Sequence, residues 1–291
     1  MADPIRPTGT WTDRLRVAWR RLVGARFGSI DHVAHRLYFH WQRVAFAVRL
    51  MAGPASITRY LRLESRWPPA GPVPVRVRPL GRREIWLRPG TTDPIMLRDT
   101  FRDRVHPPPA LPGRTIRHIL DLGANAGITV AHNALLHPEA RIVAVELDPG
   151  NAESARRNCA WAGDRVVILQ GAVWTNDGEV AYDRDSGREF GFRVVEHVAA
   201  TTTRALSMET ILGHLPDGAR VDYVKMDIEG VEARLLSGDA GRWAARVDSI
   251  GLQVHDPYTV EDCLRDLAVL GFHAHVDRRR MNYVVGVRPL A

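Results

Sequence analysis

The sequence predicts an α/β protein in which a mainly parallel sheet carries helices on both faces. Three observations carry that expectation. Ile119-Leu120-Asp121-Leu122 is a short apolar run that breaks at Gly123-Ala124-Asn125-Ala126-Gly127 into a small-residue turn, the pattern of a buried strand feeding a helix. Nineteen residues beyond Gly127 a second apolar run, Ile142 to Val145, ends on Glu146. From there to the C-terminus short apolar runs alternate with helical periodicities, as in a Rossmann-like sheet covered on both sides.

The turn at 123–127 is also where a ligand is expected. Gly123 and Gly127 lack a Cβ, so a ligand can lie against the main chain on either side of Asn125. Glu146, with Leu147 beside it, stands at the tip of the second strand of a βαβ unit, where a carboxylate can accept from two ribose hydroxyls. A nicotinamide site wants G-x-G-x-x-G, with the pyrophosphate on the helix N-terminus. Here the run is Gly123-x-Asn125-x-Gly127, preceded by Asp121. A carboxylate pointing into that loop opposes a pyrophosphate and suits a cation with an amino group, such as S-adenosylmethionine. The plain alternative is an ordinary strand-turn-helix corner.

Taken in order, the chain opens with a basic segment. Residues 1–63 hold 11 Arg against Asp3, Asp13 and Asp31, a net of +8, which exceeds the +7 of the whole chain of 291 residues. Trp11, Leu15, Ala18, Trp19, Leu22 and Val23 recur at helical spacing, and Val33, Leu37, Trp41, Val44, Val48 and Met51 mark a second helix that Gly53-Pro54 is expected to end. Neither stretch is apolar for the 18 or so residues of a membrane span. The two helices read either as a lid or dimerisation element, or as an interfacial pair on an anionic membrane at the inner face. No signal peptide is visible, and a Ser-poor composition argues against a transit peptide.

Trp67-Pro68-Pro69-Ala70-Gly71-Pro72-Val73-Pro74 reads as a stiff linker, dividing the chain into residues 1–66, a prelude at 67–113 and the main domain at 114–291. Within the prelude, Val75–Val77 and Glu84–Leu87 alternate as a hairpin around Gly81. A short helix, Ile95 to Arg102, follows, with Thr92 or Asp93 as its expected N-cap. The main domain then reads as strands at Ile119, Ile142, Val166, Val221, Ser249, Phe272 and Asn282, the last two an antiparallel pair across the Arg278-Arg279-Arg280 turn. Gln170-Gly171-Ala172 ends the third strand where an adenine edge can meet backbone amides, and Gly178 to Val195 is an inserted polar hairpin.

Hydrophobic residues at 45% and charged ones at 25% are ordinary for a soluble globule. Lys225 is the single lysine among 40 basic residues, an arginine preference that carries no functional signal. The two cysteines, Cys159 and Cys263, sit in separate helical patterns without metal-ligand or redox spacing, and read as reduced and structural in a cytoplasmic setting. Nothing in the charge pattern predicts a specific nucleic-acid partner.

Asp121 to Gly127, Glu146-Leu-Asp-Pro149 and above all Lys225-Met-Asp-Ile-Glu-Gly-Val-Glu232 resemble the FkbM-type S-adenosylmethionine-dependent methyltransferases, over roughly residues 75–288. The resemblance implies a seven-stranded sheet with an antiparallel last strand, and O-methylation of sugar, glycolipid or other natural-product hydroxyls. Asp121, Gly123, Asn125, Gly127, Glu146, Leu147, Ala172 and Asp227 are then the expected cofactor residues. The strand tips should place Asp227, Glu229 and His255 on one rim, with His255 removing the acceptor proton and Asp227 or Glu229 orienting it or holding Mg or Mn. Family members often carry Glu where this chain has Gln253, two residues before His255. Two rival readings stay open: a nicotinamide-dependent oxidoreductase, and a membrane-docking protein that has lost turnover. Asp227 as a helix cap, His255 as a satisfied loop histidine and Lys225 as a packed stem are the bland alternatives; His132, His137, His197 and His214 read as surface or core.

Overall fold

The computed structural model describes residues 28–103, 106, 108–109, 114–183, 193–195, 201–278 and 280–289. The helix expected at Trp11–Val23 lies outside them. The second expected helix is α1 (Gly28–Leu50). Gly53-Pro54 does not merely end it; Pro54 opens a further helix, α2 (Pro54–Leu63), that the sequence reading lacked. Proline suits the first helical turn, where its missing N–H has no partner to lose, and Gly53 turns the chain into it at φ 96°. α2 buries Tyr60 and Leu63, and its Ser56 hydroxyl accepts the Arg76 N–H at 2.9 Å.

That bond ties α2 to the expected hairpin, β1 (Val73–Val77) paired antiparallel with β2 (Arg83–Leu87). The short helix begins earlier than expected, as α3 (Asp93–Arg98), and continues in a π-helical turn at Asp99–Asp103. The capping expectation fails there. Thr92 makes no side-chain cap bond. The fully buried Asp93 carboxylate instead turns back to Arg88, accepting its backbone N–H at 2.8 Å and its guanidinium at 2.7 Å, because a charged partner is worth more than a frayed amide.

The main sheet follows: β3 (His118–Leu122), α4 (Ile128–Leu136), β4 (Arg141–Glu146), α5 (Pro149–Cys159) and β5 (Val166–Gln170). Next come β6 (Ala172–Val173), β7 (Gly178–Asp183), β8 (Arg193–Val195), β9 (Thr201–Leu206) and α6 (Met208–Leu212). β10 (Tyr223–Met226), α7 (Glu232–Leu236), α8 (Ala240–Ala244), β11 (Ser249–Gln253), α9 (Val260–Val269), β12 (His273–Val276) and β13 (Tyr283–Val287) complete the chain. Seven strands form one sheet in the order β12-β13-β11-β10-β3-β4-β5, with β13 antiparallel to both neighbours and the rest of the pairings parallel. The polar hairpin belongs to a separate four-stranded sheet, β6-β9-β7-β8.

From β3 the chain builds outward through β4 and β5, then returns to lay β10 and β11 on the other side of β3. The crevice above β3 and β10 is therefore the switch point at which such sheets bind ligands. Strands on both sides of it are apolar and fully buried at Leu120, Leu122, Val143, Val224, Met226 and Leu252, which fixes their tips. Cys159 and Cys263 are free and buried, and burial pushes the Cys263 thiol up to about 12. The chain divides into two compact units, 1–49 and 50–291. Among the described residues no helix is long and apolar enough to cross a membrane.

Candidate active site

Above the switch point lies an open cavity of about 510 Å³. One wall is the turn after β3. Gly123 and Gly127 take left-handed φ of 85° and 75°, but the space beside them is not for a ligand. A Cβ on Gly123 would fall 1.9 Å from the Asp227 carbonyl oxygen, and one on Gly127 would fall 2.7 Å from Ala155 Cα. The glycines let β10 and α5 close on the turn, which correction leaves Ala124, Asn125 and Ala126 to line the cavity with Gly123.

Glu146 stands beside that turn, buried to 6% exposure yet on the cavity wall. Its Oε2 accepts the Asn125 N–H at 2.7 Å, and its Oε1 accepts the Asp148 N–H at 2.9 Å and the Asn151 amide at 3.4 Å. Burial pushes this carboxyl up, against the opposing pull of those donors. A carboxylate has about four acceptor positions, so one is open and the long Asn151 contact can yield a second. Leu147, Gly171 and Ala172 continue the same wall.

Asp121 is not on the wall. It is fully buried beneath the turn, with Oδ1 3.0 Å from the Lys225 ammonium, and Lys225 lines the cavity in its place. Lys225 stands opposite Asp121 in the β10–β3 register and also donates to the Gly123 carbonyl. Burial works against the ammonium, yet Asp121 and Asp227 hold its pKa above the ordinary lysine value. The carboxylates on the wall are instead Asp99, Glu146, Asp227 and Glu229.

The far rim brings Asp227, Glu229 and His255 together, as expected from their strand ends. His255 Nε2 lies 3.6 Å from Asp227 Oδ1 and 3.7 Å from Glu229 Oε2, and its Nδ1 lies 2.7 Å from Oε1 of the fully buried Glu232. Burial works against the imidazolium, but Glu232, Glu229 and Asp227 outweigh it and raise the His255 pKa. Asp227 is held below the usual carboxylate range, its burial outweighed by His106, Lys225 and His255. Asp227 caps no helix, since α7 opens at Glu232 behind Val231.

Of the expected site residues, Gly123, Asn125, Glu146, Leu147, Ala172, Asp227, Glu229 and His255 line the cavity, while Asp121 and Gly127 stand behind it. Gln253 lines it too. The sequence reading missed the contribution of Ile95, Met96, Asp99 and Thr100, and that of His106. The π-helical turn marks Asp99 and Thr100, while Ile95 and Met96 lie in the regular helix α3 and His106 sits in no motif. His132, His137 and His214 are away from the cavity, and His197 lies outside the described residues.

The Methyltransferase FkbM domain matches residues 121–284. The chain is 44% identical to the O-methyltransferase imqG of Aspergillus flavus over 154 residues, 47% of this chain and 62% of that protein. It is 38% identical to the tRNA1(Val) (adenine(37)-N6)-methyltransferase of Porphyromonas gingivalis over 63 residues, 21% of this chain and 25% of that protein. The chain thus spans under two thirds of either relative's length. Among solved structures, the precorrin-6y C5,15-methyltransferase from Geobacter metallireducens superposes with a TM-score of 0.38 at 14% identity, over 68% of this chain and 89% of that one. With its match covering more than half of the residues, this chain belongs to the FkbM methyltransferase family.

Proposed function

We propose that the cavity binds S-adenosylmethionine and that the protein methylates a hydroxyl of a sugar, glycolipid or other natural product, free or lipid-linked. The residues fit that cofactor. Glu146 offers its remaining acceptor positions to the ribose, Ala172 and Gly171 lie where an adenine edge meets main chain, and the carboxylates of Asp99, Asp227 and Glu229 favour a cationic methionyl end. That acidic wall takes over the role first given to Asp121 and opposes the pyrophosphate of a nicotinamide rival. When bound, the cofactor supplies an electrophilic methyl group on a sulfonium.

The observation that carries the O-directed reading is the Glu232–His255 pair at the rim, 2.7 Å apart and facing Asp227. Glu232 fixes a proton on Nδ1, so Nε2 is the atom that takes the hydroxyl proton. The test mixes labelled S-adenosylmethionine with a panel of hydroxylated lipids, sugars and polyketides. His255→Ala should lower transfer about 100-fold with S-adenosylhomocysteine affinity unchanged. Full transfer by the variant contradicts the base, and transfer to no acceptor favours the rival in which the sheet has lost turnover.

A second reading has its own observation. Ligand atoms of Asp227, Glu229 and His255 lie within 4.8 Å of one another, a spacing that one Mg or Mn ion could bridge with oxygen ligands and an imidazole. Chelation that abolishes transfer, with restoration by either metal, supports it; indifference to chelator removes it. We further propose cytoplasmic residence, with residues 1–63 in peripheral contact with anionic membrane at the inner face, motivated by their +8 charge. No specific nucleic-acid partner is expected.

A further inference from the structure

His106 stands outside every motif in the chain, fifteen residues ahead of the matched segment that begins at 121. It is nonetheless built into the site. Its ring is 7% exposed and lines the cavity, with Nε2 3.4 Å from Asp227 Oδ2, while Oδ1 of the same carboxylate faces His255. The backbone at His106 takes a left-handed φ of 62°, which a side-chain-bearing residue holds only when its surroundings enforce it. Those surroundings are visible. The Tyr223 hydroxyl donates to the His106 carbonyl at 3.3 Å, and lies 3.3 Å from the Tyr283 hydroxyl. The Tyr283 ring packs on the imidazole at a centroid distance of 5.1 Å. Room for both tyrosines depends on Gly251, where a Cβ would fall 2.3 Å from one hydroxyl and 2.7 Å from the other.

The imidazole is thus fixed from beneath, and its Nε2 lies beside one oxygen of Asp227. We propose that His106 is a positioning residue, donating its Nε2–H to Asp227 Oδ2 so that Oδ1 stays turned to the cavity and to the sulfonium of the bound cofactor. The inference rests on the reading that the cavity binds S-adenosylmethionine. A carboxylate is acceptor-only, so the shared proton belongs to the imidazole, and the neutral ring then carries it on Nε2 and leaves Nδ1 bare. Among the described residues Nδ1 is buried without a hydrogen-bond partner, consistent with a bare nitrogen. Without the donor, Asp227 is free to rotate toward Lys225. A displacement of about 2 Å from a contact distance of about 4 Å changes the attraction between unit charges by roughly tenfold in affinity at an effective dielectric near 20.

S-adenosylmethionine and S-adenosylhomocysteine differ by one methyl and one positive charge, so the ratio of their affinities reports where Asp227 points. Calorimetry with both ligands is done on the wild type, His106→Gln and His106→Asn, with thermal melts alongside. A glutamine amide nitrogen reaches where ring Nε2 stands, and an asparagine is one methylene shorter. The ratio should be kept within about twofold in His106→Gln and fall about tenfold against S-adenosylmethionine in His106→Asn, with S-adenosylhomocysteine affinity nearly unchanged. Equal ratios in all three proteins, or a parallel loss of both ligands, overturns the positioning role. Binding of neither ligand by the wild type overturns the cofactor reading and this inference with it. Should His106→Asn fail to fold, nitrogen-15 histidine spectra of the wild type decide: a proton on Nε2 that moves in Asp227→Asn sustains the role, and a proton on Nδ1 ends it.

Discussion

Gly123 shows at the residue scale how tightly the site is assembled. Its missing Cβ is filled by the Asp227 carbonyl, so the turn after β3 and the tip of β10 hold each other in place. Gly123→Ala must accept both that overlap and φ 85° with a side chain. The expected cost is about 2 kcal/mol or more, a fall of roughly 5 °C in Tm by scanning calorimetry, and an unchanged Tm contradicts the packing. His255 makes a second residue-scale prediction through pH. Its folded pKa is raised, so the stability it contributes is full below the unfolded value of about 6.5 and fades as pH climbs through the folded value. Glu232→Gln removes the largest attractive cause, and the NMR titration midpoint of His255 should drop. A wild-type midpoint at or below about 6.5 is the contrary result.

At the scale of elements, β2 is tied to the turn after β3 by one asparagine side chain. Asn158 of α5 is fully buried; its Oδ1 accepts the Trp86 N–H at 2.7 Å, and its amide donates to the Trp86 carbonyl at 3.2 Å and to the Ala126 carbonyl at 2.9 Å. It pairs with β2 as another strand would, while holding the turn from behind. Asn158→Ala leaves those main-chain groups unpartnered, with an expected loss of about 2 kcal/mol or more in denaturant melts and weaker S-adenosylhomocysteine binding. Normal stability with normal binding would dissociate the prelude from the site. The elements that were legible in the sequence are those whose period or turn chemistry stood alone: the seven strands, the β1–β2 hairpin and the closing antiparallel pair. α2 was illegible because Gly53-Pro54 serves equally as a stop and as a first turn. Asp93 was misread because its partner Arg88 lies behind it, outside any capping pattern.

For the whole molecule, sheet order decides what the motifs mean. Carboxylates read along the chain were assigned by position, and Glu146, Asp227 and Glu229 do reach the cavity. Asp121 did not, because the lysine that neutralises it arrives from β10, a neighbour that only the β3–β10 register reveals. His106 was hidden for the same reason: proximity to Asp227 is created by topology, not spacing. Charge is likewise a whole-molecule property. With the +8 of residues 1–63 and the exposed Trp41 and Val48 seven residues apart on α1, the 291-residue chain should sediment with anionic vesicles in a salt-sensitive way. Changing both residues to serine should weaken that sedimentation, and equal sedimentation of the variant, or none by the wild type, contradicts membrane contact.

The cofactor assignment underlies the rest, and calorimetry on wild-type protein and Glu146→Ala tests it most directly. Wild type should bind S-adenosylmethionine or S-adenosylhomocysteine in the micromolar range and not bind NAD, and Glu146→Ala should lose at least about tenfold, because the buried carboxylate on the wall is the group proposed to meet the ribose. Equal affinity in the two proteins, or binding of NAD in preference, contradicts the assignment.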